Sequence, residues 1–453
     1  MKTLFPFQTN ALKSLASRNK ALLALDMGLG KTFTGLKWLQ QKNREGTYTI
    51  ILCQKNKLDD WEHEISEVFG HEAQILKVKS QQHLKDELGG VTEGSFIILS
   101  YSLFTLFSKR NLRWWDKIKT IIPNLLFDES QGLRNRTSLI SKYTYLLSVV
   151  CKYVLLLSGD PTPNGYQDLY QQLRVLNVLG EKYSWYDFLK EFCHTRVLPG
   201  TSVLMITGYK NEERLLALVN SCSYFLKTED AVGLPEKQNL FHQDPTPIPY
   251  YNELRLNKIV SIKVEDDLYE TVSEGPLTEL LYLRELSSGF IKSRSVTTNE
   301  QTYLKIHDYK IGLVKEILEQ SSDQVVIFYN FKEERRHLLS LLNENNWSYV
   351  RIDGESHELS RLTNQRVILV QYQSGSRGVD GLQFKSNRVI YYSPTLSGEL
   401  FKQSIKRIHR IGQSNACIYH FLINSKLERL IFERLQNYED FTLEVFSKLR
   451  TEI

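Results

Sequence analysis

Two series of short, continuous apolar segments constrain the fold of this chain more than any other feature. The first series lies at residues 21–25, 48–53, 96–100, 124–127 and 153–158, and the second at 325–329, 349–352, 367–371 and 388–392. Apolar runs of this kind are typical of parallel strands that are buried on both faces. Helical patterns, such as those at 57–69 and 332–345, separate them. The alternation predicts an α/β protein with two lobes, each a parallel sheet flanked by helices.

The stretch between the two series, about residues 164–302, has a different pattern. Helical periodicity dominates it at 169–179, 211–219 and 277–291, and Pro-containing loops interrupt it near 198–200 and 244–249. We therefore predict a first lobe over residues 1–230, with a helical insertion from about residue 165. A helical protrusion and linker then occupy 231–302, and the second lobe occupies 303–453.

Composition excludes several classes of protein. A chain of 453 residues, 42% hydrophobic and 24% charged, is typical of a globular protein with two or three domains. Its longest apolar runs have strand length and its first residues lack a signal-peptide pattern, so we expect no membrane association. Five scattered cysteines without a CxxC pair indicate a reducing, cytoplasmic setting rather than a disulfide or zinc scaffold. A net charge of +5 permits a phosphate-backbone partner without demanding one.

The strongest local pattern is Asp-Met-Gly-Leu-Gly-Lys-Thr at 26–32, directly after a predicted strand and before a helical pattern. Its glycines allow backbone N–H groups to turn towards a phosphate, and the start of a helix adds positive potential. Lys31 can neutralise the β- and γ-phosphates of ATP, and the Thr32 hydroxyl can bind Mg²⁺. The general pattern G-x4-G-K-[ST] is not met, because Leu25 takes the place of its first glycine. An ordinary turn is the alternative, but the strand–loop–helix setting favours a nucleotide site.

An apolar strand ending in two carboxylates, Asp128 and Glu129, follows about a hundred residues after Lys31. In a nucleotide-binding sheet, one acid at such a position holds Mg²⁺ and the other lies beside the attacking water. We assign Asp128 to the metal and Glu129 to the role of general base. By itself, an Asp-Glu pair after a strand is usually a solvated loop, and its position relative to Lys31 is what favours the catalytic interpretation.

Two further patterns are ambiguous when taken alone. Residues 158–164, Ser-Gly-Asp-Pro-Thr-Pro-Asn, follow an apolar strand and predict a stiff turn with a polar lip, or a purely structural turn. Near the C-terminus, Arg407 and Arg410 are three residues apart and would share one face of a helix. Two guanidinium groups could reach a phosphate as arginine fingers, or they could belong to a solvated basic face. Charge alone does not decide between these interpretations.

Taken together and in this order, the segments resemble the SNF2 family of superfamily 2 DNA-dependent ATPases, from residue 4 to about residue 432. Residues 24–32 are close to the family's own phosphate loop, which explains the missing glycine. Residues 4–8 resemble the family's adenine-reading motif. Residues 51–54, followed by Trp61 and Glu64, resemble its DNA-strand contact and the helix that supports it. Residues 96–101 resemble the block after that. Residues 325–330 resemble motif IV and 374–383 motif V. The string His-Arg-Ile-Gly-Gln at 409–413 is characteristic of this family.

Three positions depart from the family pattern. Gln131 stands where the family has a histidine that links hydrolysis to the next motif, and Asp160 and Asp380 replace the more common threonine and asparagine. A glutamine amide could still bridge the two motifs. The basic pair that usually precedes a Leu-Pro is reduced here to Lys227.

The resemblance implies two RecA-like lobes that bind ATP and Mg²⁺ between them and hold double-stranded DNA by its phosphates. For catalysis it implies Lys31, Asp128, Glu129, Arg407 and Arg410, with Thr32 and Asp128 as the magnesium ligands. For nucleotide binding it implies Gln8, Met27, Gly28, Leu29, Gly30, Lys31, Thr32, Gly378 and Asp380. For coupling and nucleic-acid contact it implies Gln131, Ser158, Gly159, Asn164, Gln403 and Gln413.

The resemblance therefore predicts a monomeric translocase on double-stranded DNA that acts in replication, recombination or repair. Its compact length looks most like that of prokaryotic or bacteriophage members. The partner expected for such a member is a phage or host replication or repair protein. The expected location is the cytoplasm, or the host cytoplasm if the protein is encoded by a phage. Two alternatives stay open: a helicase that separates DNA or RNA strands, and an ATP-regulated DNA-binding scaffold without productive turnover. The altered Gln131 and Asp160 are the features that favour the scaffold.

Overall fold

The structure of the chain, a computed structural model, describes residues 3–110, 121–180, 182–197, 200, 204–231, 233–355, 365–375 and 381–450. The chain divides into two compact units between Gly233 and Leu234. Each unit has its own parallel sheet flanked by helices and its own buried apolar core. This confirms the predicted pair of RecA-like α/β lobes. Within the described ranges, no helix combines the length and the apolar character that crossing a membrane requires.

The first unit contains the following described elements. Its strands are β1 (Lys20–Leu25), β2 (Thr47–Cys53), β3 (Ile75–Lys77), β4 (Phe96–Ser100), β5 (Ile122–Phe127), β6 (Val154–Ser158), β7 (Cys193–Val197), β8 (Leu204–Tyr209) and β9 (Ser223–Leu226). Its helices are α1 (Pro6–Leu15), α2 (Lys31–Gln40), α3 (Leu58–Phe69), α4 (Gln81–Glu87), α5 (Tyr101–Arg110), α6 (Leu139–Val150), α7 (Leu169–Val175), α8 (Trp185–Phe192), α9 (Glu212–Cys222) and α10 (Thr228–Ala231).

The main sheet of the first unit has the strand order β3-β4-β2-β5-β6-β1-β9, and all its neighbouring strands are parallel. Its central strands are buried along nearly their whole length, as continuous apolar runs predict. Strands β5, β6 and β1 are consecutive neighbours, with Phe127 opposite Leu156 and Leu22 opposite Leu156 in register. Their carboxyl ends therefore bring the loops at 26–30, 128–133 and 159–165 to one edge of the sheet.

The second unit contains ten described strands: β10 (Lys237–Gln243), β11 (Ile259–Val264), β12 (Asp267–Val272), β13 (Phe290–Ser295), β14 (Gln301–Lys305), β15 (Val325–Tyr329), β16 (Tyr349–Ile352), β17 (Val367–Gln371), β18 (Arg388–Tyr391) and β19 (Cys417–Ile423). Its described helices are α11 (Tyr251–Asn257), α12 (Pro276–Ser287), α13 (Tyr309–Glu319), α14 (Lys332–Glu344), α15 (Tyr372–Gly375), α16 (Gly398–Ile408), α17 (Lys426–Gln436) and α18 (Leu443–Leu449). A parallel sheet runs in the order β10-β19-β18-β15-β17-β16, and a separate antiparallel sheet runs in the order β11-β12-β13-β14.

The middle of the chain contains more strand than the sequence predicts. The helices expected at 169–179, 211–219 and 277–291 are present as α7, α9 and α12, but strands β7 to β14 lie among them. The last of these helices ends at Ser287, two residues before Gly289, whose φ of 95° is left-handed. A Cβ at Gly289 would lie 2.4 Å from the His307 carbonyl oxygen, so this position requires a glycine. Strand β10 joins the second parallel sheet, although it falls in the segment expected to be a helical linker. The division at 230 and 302 remains a prediction.

Candidate functional site

The loop between β1 and α2 has the geometry of a phosphate-binding loop. Gly28 and Gly30 adopt φ values of 87° and 73°, and Gly30 directly precedes the first turn of α2, which begins at Lys31. The backbone N–H groups of this first turn have no partner within the helix and are available to an anion. The buried Gln8 side chain donates from Nε2 to the Leu29 carbonyl at 3.0 Å. A Cβ at Gly30 would lie 2.5 Å from that nitrogen, so Gln8 closes one side of the loop.

Hydrogen bonds of Asp26 connect the start of this loop to the end of the first unit. One carboxylate oxygen of Asp26 accepts a hydrogen bond from the Met27 N–H at 2.9 Å, and the other accepts from the Thr228 hydroxyl at 2.9 Å. Thr228 begins α10, five residues before the boundary between the units. Met27 also lies beside Gly159, where a Cβ would be 3.4 Å from the Met27 Cγ and 3.4 Å from the Lys31 Nζ.

The acid pair at the end of β5 meets the phosphate loop. The Lys31 ammonium lies 3.6 Å from Glu129 Oε1. Asp128 is buried, and its Oδ2 accepts a hydrogen bond from Trp61 Nε1 at 3.2 Å. Burial raises the pKa of Asp128 to about 6, with a further contribution from the Glu129 charge, while Lys31 and Trp61 act in the opposite direction. The site thus holds two carboxylates and one ammonium within a short distance.

The donor groups suit magnesium. Carboxylate and hydroxyl oxygens are the ligands that Mg²⁺ prefers, and it is usually held by one or two carboxylates together with substrate phosphates. Asp128 and Thr32 can supply such oxygens next to the phosphate loop. In the part of the chain that the structure describes, no group of three or more His, Cys, Asp or Glu side chains could hold a metal ion.

Gln131 connects the acid pair to the end of β6. Its Nε2 donates to Glu129 Oε2 at 2.8 Å, and its Oε1 accepts from the Ser158 hydroxyl at 2.7 Å. Ser158 is completely buried, and Glu129 adopts φ 50°, a left-handed conformation that is unfavourable for a residue with a side chain. An amide therefore forms the link between the two motifs at the position where the family resemblance leads one to expect a histidine.

A second link between the same two loops was not predicted from the sequence. The Ser130 hydroxyl donates to Gln172 Oε1 at 2.8 Å, and Gln172 Nε2 donates to the Pro161 carbonyl at 2.7 Å. Gln172 lies on α7 and is completely buried. No local pattern marks it, since a glutamine within an apolar helix has no motif around it. Asn164, at the outer end of the second loop, is exposed, and its backbone N–H donates to Asp168 at 2.9 Å.

The second unit carries the arginine cluster on α16 and the turn that follows it. Gln403 and Arg407 lie one turn apart on this helix, and Gln403 Nε2 donates to Glu399 Oε1 at 3.1 Å. The helix ends at Ile408, so Arg410 lies in the turn beyond it rather than on the helix. The prediction that Arg407 and Arg410 share one helical face is therefore wrong. Both side chains are half-buried.

The turn after α16 is anchored by side chains within the second unit. Gln413 Nε2 donates to the carbonyls of Gln383 and Ser386 at 3.1 and 3.0 Å. His409 Nε2 lies 2.8 Å from the Pro235 carbonyl, two residues after the boundary between the units. Gly378 and Asp380, which the sequence assigns to nucleotide binding, lie outside the described residues.

Comparison with known families gives two matches. The SNF2-related domain matches residues 7–247, more than half of the chain, and the helicase conserved C-terminal domain matches residues 309–412. The first match covers the phosphate loop, the acid pair and the Gln131 bridge. The second covers α16 and the arginine cluster.

Similar proteins include the DNA repair and recombination protein RAD54B of Gallus gallus, 23% identical over 94% of this chain and 52% of that protein. The human DNA annealing helicase and endonuclease ZRANB3 is 23% identical over 97% of this chain and 40% of that protein. The chain thus spans about half of the length of these curated relatives, or less. A solved structure of the Sulfolobus solfataricus SWI2/SNF2 ATPase core in complex with dsDNA shares 18% identity, covers 99% of this chain and 95% of that chain, and has a TM-score of 0.42.

Proposed function

Because the chain belongs to the SNF2-related family, we propose that it is a DNA-stimulated ATPase that moves along double-stranded DNA. One observation carries this proposal: the phosphate loop and the acid pair meet at one edge of the first sheet, with Lys31 Nζ 3.6 Å from Glu129 Oε1. The site therefore offers helix N–H groups, an ammonium and two carboxylates side by side. These are the groups that transfer of the γ-phosphoryl group of ATP to water requires.

In this proposal each side chain has a distinct task. The ammonium of Lys31 leaves Glu129 for the β- and γ-phosphates, which compete for it with a larger negative charge. Glu129, held by Gln131, then accepts a proton from the attacking water. Thr32 and Asp128 would hold Mg²⁺, which neutralises charge on the phosphates when bound. Gln8, next to the loop, would contact the adenine, and Gly378 and Asp380 would contact the nucleotide from the second unit.

We further propose that Arg407 and Arg410 stabilise the charge on the transferred phosphoryl group, and that Gln403 and Gln413 support them. The contribution of such a guanidinium to turnover is typically about 10³-fold or more. Gln131 with Ser158 would connect hydrolysis to the second loop. Gly159 and Asn164 belong to that loop and would share this coupling role.

The proposed partner is the phosphate backbone of duplex DNA. The relatives RAD54B and ZRANB3 are a DNA repair and recombination protein and a DNA annealing helicase by name, which supports a DNA partner and a role in replication, recombination or repair. Phosphate contacts are independent of base sequence, and binding should weaken steeply as salt rises. We also propose that the protein is a prokaryotic or bacteriophage member of the family, that it is monomeric, and that it acts in the cytoplasm of the cell or host.

The test is ATP hydrolysis by the full chain without nucleic acid and with single-stranded DNA, duplex DNA or RNA. We expect the largest stimulation with duplex DNA and none in Lys31→Ala. The matched control is Lys37→Ala, which removes a lysine from the same helix, where its ammonium contacts Gln40. Equal rates for Lys31→Ala and Lys37→Ala, or equal rates with and without duplex DNA, would refute the proposal.

The arginine assignment has its own test. Arg407→Ala and Arg410→Ala should each lower turnover by about 10³-fold. The control Arg429→Ala should not, because Arg429 lies on α17 of the same unit and its guanidinium contacts Gln243 at the end of β10. Near-normal turnover in both Arg407→Ala and Arg410→Ala would mean that the assignment is wrong.

Strand separation is the second candidate function. The match of residues 309–412 to the helicase conserved C-terminal domain is the observation that favours it. A forked duplex with a labelled strand distinguishes the two functions, because a translocase hydrolyses ATP on it without releasing the strand. ATP-dependent strand release would favour the helicase.

A further inference from the structure

A cavity of about 420 Å³ lies in the first unit between α8 and the hairpin formed by β7 and β8. Among the described residues, no acidic side chain lines it. Its lining combines aromatic, aliphatic and thiol side chains with two lysines, a histidine and a threonine: Tyr186, Leu189, Cys193, Leu204, Lys190, Lys210, His194 and Thr195. The cavity therefore favours an anionic occupant that also has an apolar part.

The acidic side chains beside this cavity are engaged elsewhere. Asp187 accepts hydrogen bonds from the Ser184 N–H and hydroxyl at 2.8 and 2.6 Å, which caps the start of α8. Glu191 forms an ion pair with Arg214 at 2.9 Å and accepts from the Tyr183 hydroxyl at 2.6 Å. Because these contacts hold both carboxylates, the two lysine ammonium groups of the cavity remain available to a carboxylate from outside the unit.

Large apolar side chains surround the cavity at the protein surface. Tyr186 is 69% exposed, and Val197 and Leu204, which lie opposite each other in the hairpin, are also exposed. Exposed apolar side chains with a polar rim are typical of surfaces that bind another protein. Within the described ranges β7 and β8 pair only with each other, so their outer edges offer backbone N–H and C=O groups to an extended segment. These features favour a polypeptide over a nucleic-acid backbone, which is bound mainly by polar groups.

The base of the same hairpin is joined to the loop that follows β6. Tyr209 on β8 pairs with Cys193 and precedes Lys210, and both of these neighbours line the cavity. The Tyr209 hydroxyl donates to Gln167 Oε1, and Gln167 Nε2 donates to the Asn164 carbonyl at 2.6 Å. A short series of hydrogen bonds therefore connects the wall of the cavity to this loop.

Gly165 shows how closely Tyr209 packs on the loop. Its φ is 118°, and a Cβ at this position would overlap the Tyr209 hydroxyl. The Tyr209 ring also packs against Tyr166, with a centroid separation of 5.0 Å. Since packed groups of this kind leave no free space, a movement of the hairpin must move the loop or break these contacts.

We propose that this cavity is the docking site for an acidic segment of a partner protein. Aspartate or glutamate side chains of the segment pair with Lys190 and Lys210, and an apolar side chain packs against Leu189 and Leu204. The bound segment holds the hairpin in place, and Tyr209 carries this effect to the loop after β6 as a positioning residue. The inference goes beyond the proposed function, because docking requires neither ATP nor DNA.

The probe is a library of short random peptides displayed on phage and selected for binding to the full chain. Excess duplex DNA is present during selection, so that surfaces that bind nucleic acid are occupied. Selected peptides are labelled with fluorescein and titrated by anisotropy against the wild type and two double variants. Lys190→Ala/Lys210→Ala removes the charges of the cavity, and Lys13→Ala/Lys142→Ala removes the same charge from two exposed positions of the unit.

We expect the selected peptides to be rich in Asp and Glu and to contain an aromatic or aliphatic residue. They should bind Lys190→Ala/Lys210→Ala about tenfold more weakly than the wild type, as the loss of two exposed ion pairs allows, and should bind the control variant like the wild type. Peptides without acidic residues, equal affinity for the two double variants, or a selection without binders would each overturn the docking site. A loss of duplex DNA affinity confined to Lys190→Ala/Lys210→Ala would assign the cavity to nucleic acid and overturn it as well.

The role of Tyr209 is measured by hydrogen exchange at the loop. The backbone N–H groups of Asn164 and Gly165 donate to Asp168 at 2.9 Å and to the Thr162 carbonyl at 3.0 Å. A selected peptide at saturation should slow their exchange by about two- to tenfold in the wild type, which corresponds to the contribution of one hydrogen bond to the stability of the closed loop.

Two variants separate transmission from docking. Tyr209→Phe should bind the peptide like the wild type but lose most of the slowing, because its ring no longer donates to Gln167. Tyr170→Phe is the matched control and should keep the slowing, because the Tyr170 hydroxyl donates to the Tyr183 carbonyl instead. Unchanged exchange in the wild type, or equal slowing in the wild type and Tyr209→Phe, would overturn the role of Tyr209.

Discussion

The bridge from Glu129 through Gln131 to Ser158 predicts an energetic coupling that a double-mutant cycle can measure. Gln131→Leu keeps the approximate size of the side chain and removes both hydrogen bonds of its amide. Ser158→Ala removes the hydroxyl that donates to Gln131 at 2.7 Å. The two single variants therefore share the loss of one hydrogen bond, which the double variant loses only once.

The size of the effect follows from the two bonds. A hydrogen bond to a carboxylate is worth about 1.5–3 kcal/mol and one between neutral groups about 0.5–1.5 kcal/mol. If the amide acts mainly by orienting Glu129, Gln131→Leu should lower duplex-stimulated turnover by about ten- to a hundredfold. The shared bond should appear as a coupling energy of about 1 kcal/mol, or about fivefold in rate.

The assay is steady-state ATP hydrolysis at saturating duplex DNA for the wild type, the two single variants and the double variant, with nucleotide affinity measured separately. Gln131→His is the conservative comparison, because an imidazole can also bridge a carboxylate and a hydroxyl, and it should retain most of the activity. Effects of Gln131→Leu and Ser158→Ala that add within about 0.3 kcal/mol would refute the coupling.

Three further predictions concern the loop and the second unit. Gly30→Ala should weaken binding of a fluorescent ATP analogue by about tenfold, because its Cβ would clash, whereas Gly46→Ala, with φ 70° but open space around it, should not. Lys310→Met leaves the buried Glu428 carboxylate without its ammonium partner. The free energy of opening of β15 and β18, measured by hydrogen exchange, should therefore fall by about 3–5 kcal/mol. Adding Glu428→Gln should restore most of the lost stability. Burial lowers the pKa of His420 to about 4. Below its ordinary pKa the unfolded chain therefore binds a proton that the folded unit does not, and the free energy of unfolding should fall by about 2 kcal/mol between pH 7 and pH 5. An unfolding transition of His420→Gln with the same pH dependence as the wild type would contradict this.

The sequence predicts the parallel strands well because burial on both faces leaves a continuous apolar run. The strands expected at 96–100, 325–329, 349–352 and 367–371 have the same bounds in the structure. The strands that lack such a run were not predicted. Strand β11 alternates between buried and exposed residues, and β10 is mostly exposed and polar, so its place is determined by pairing with β19 rather than by its own composition.

The same distinction applies to the site. Gly30 and Lys31 belong to a continuous strand–loop–helix pattern, which is visible in the sequence. Gln172 is joined to Ser130 over 42 positions, and Trp61 to Asp128 over 67 positions. Hydrogen bonds between such distant positions leave no periodicity or spacing, so only the tertiary structure reveals them. Arg410 was placed on a helix because spacing alone does not show where α16 ends.

The two departures that favour a scaffold without turnover, Gln131 and Asp160, meet at one hydroxyl. Ser158 Oγ donates to Gln131 Oε1 at 2.7 Å and accepts from the Asp160 N–H at 3.1 Å, and a hydroxyl can do both at once. The Asp160 carboxylate in turn accepts from the Thr162 N–H at 3.3 Å, which stabilises the turn. Lys31 and Glu129, to which we assign phosphate binding and proton transfer, lie 3.6 Å apart beside this link. The departures therefore argue for a rearranged link between the two motifs rather than for a scaffold. A rate of phosphate release that rises when duplex DNA is added would decide against the scaffold.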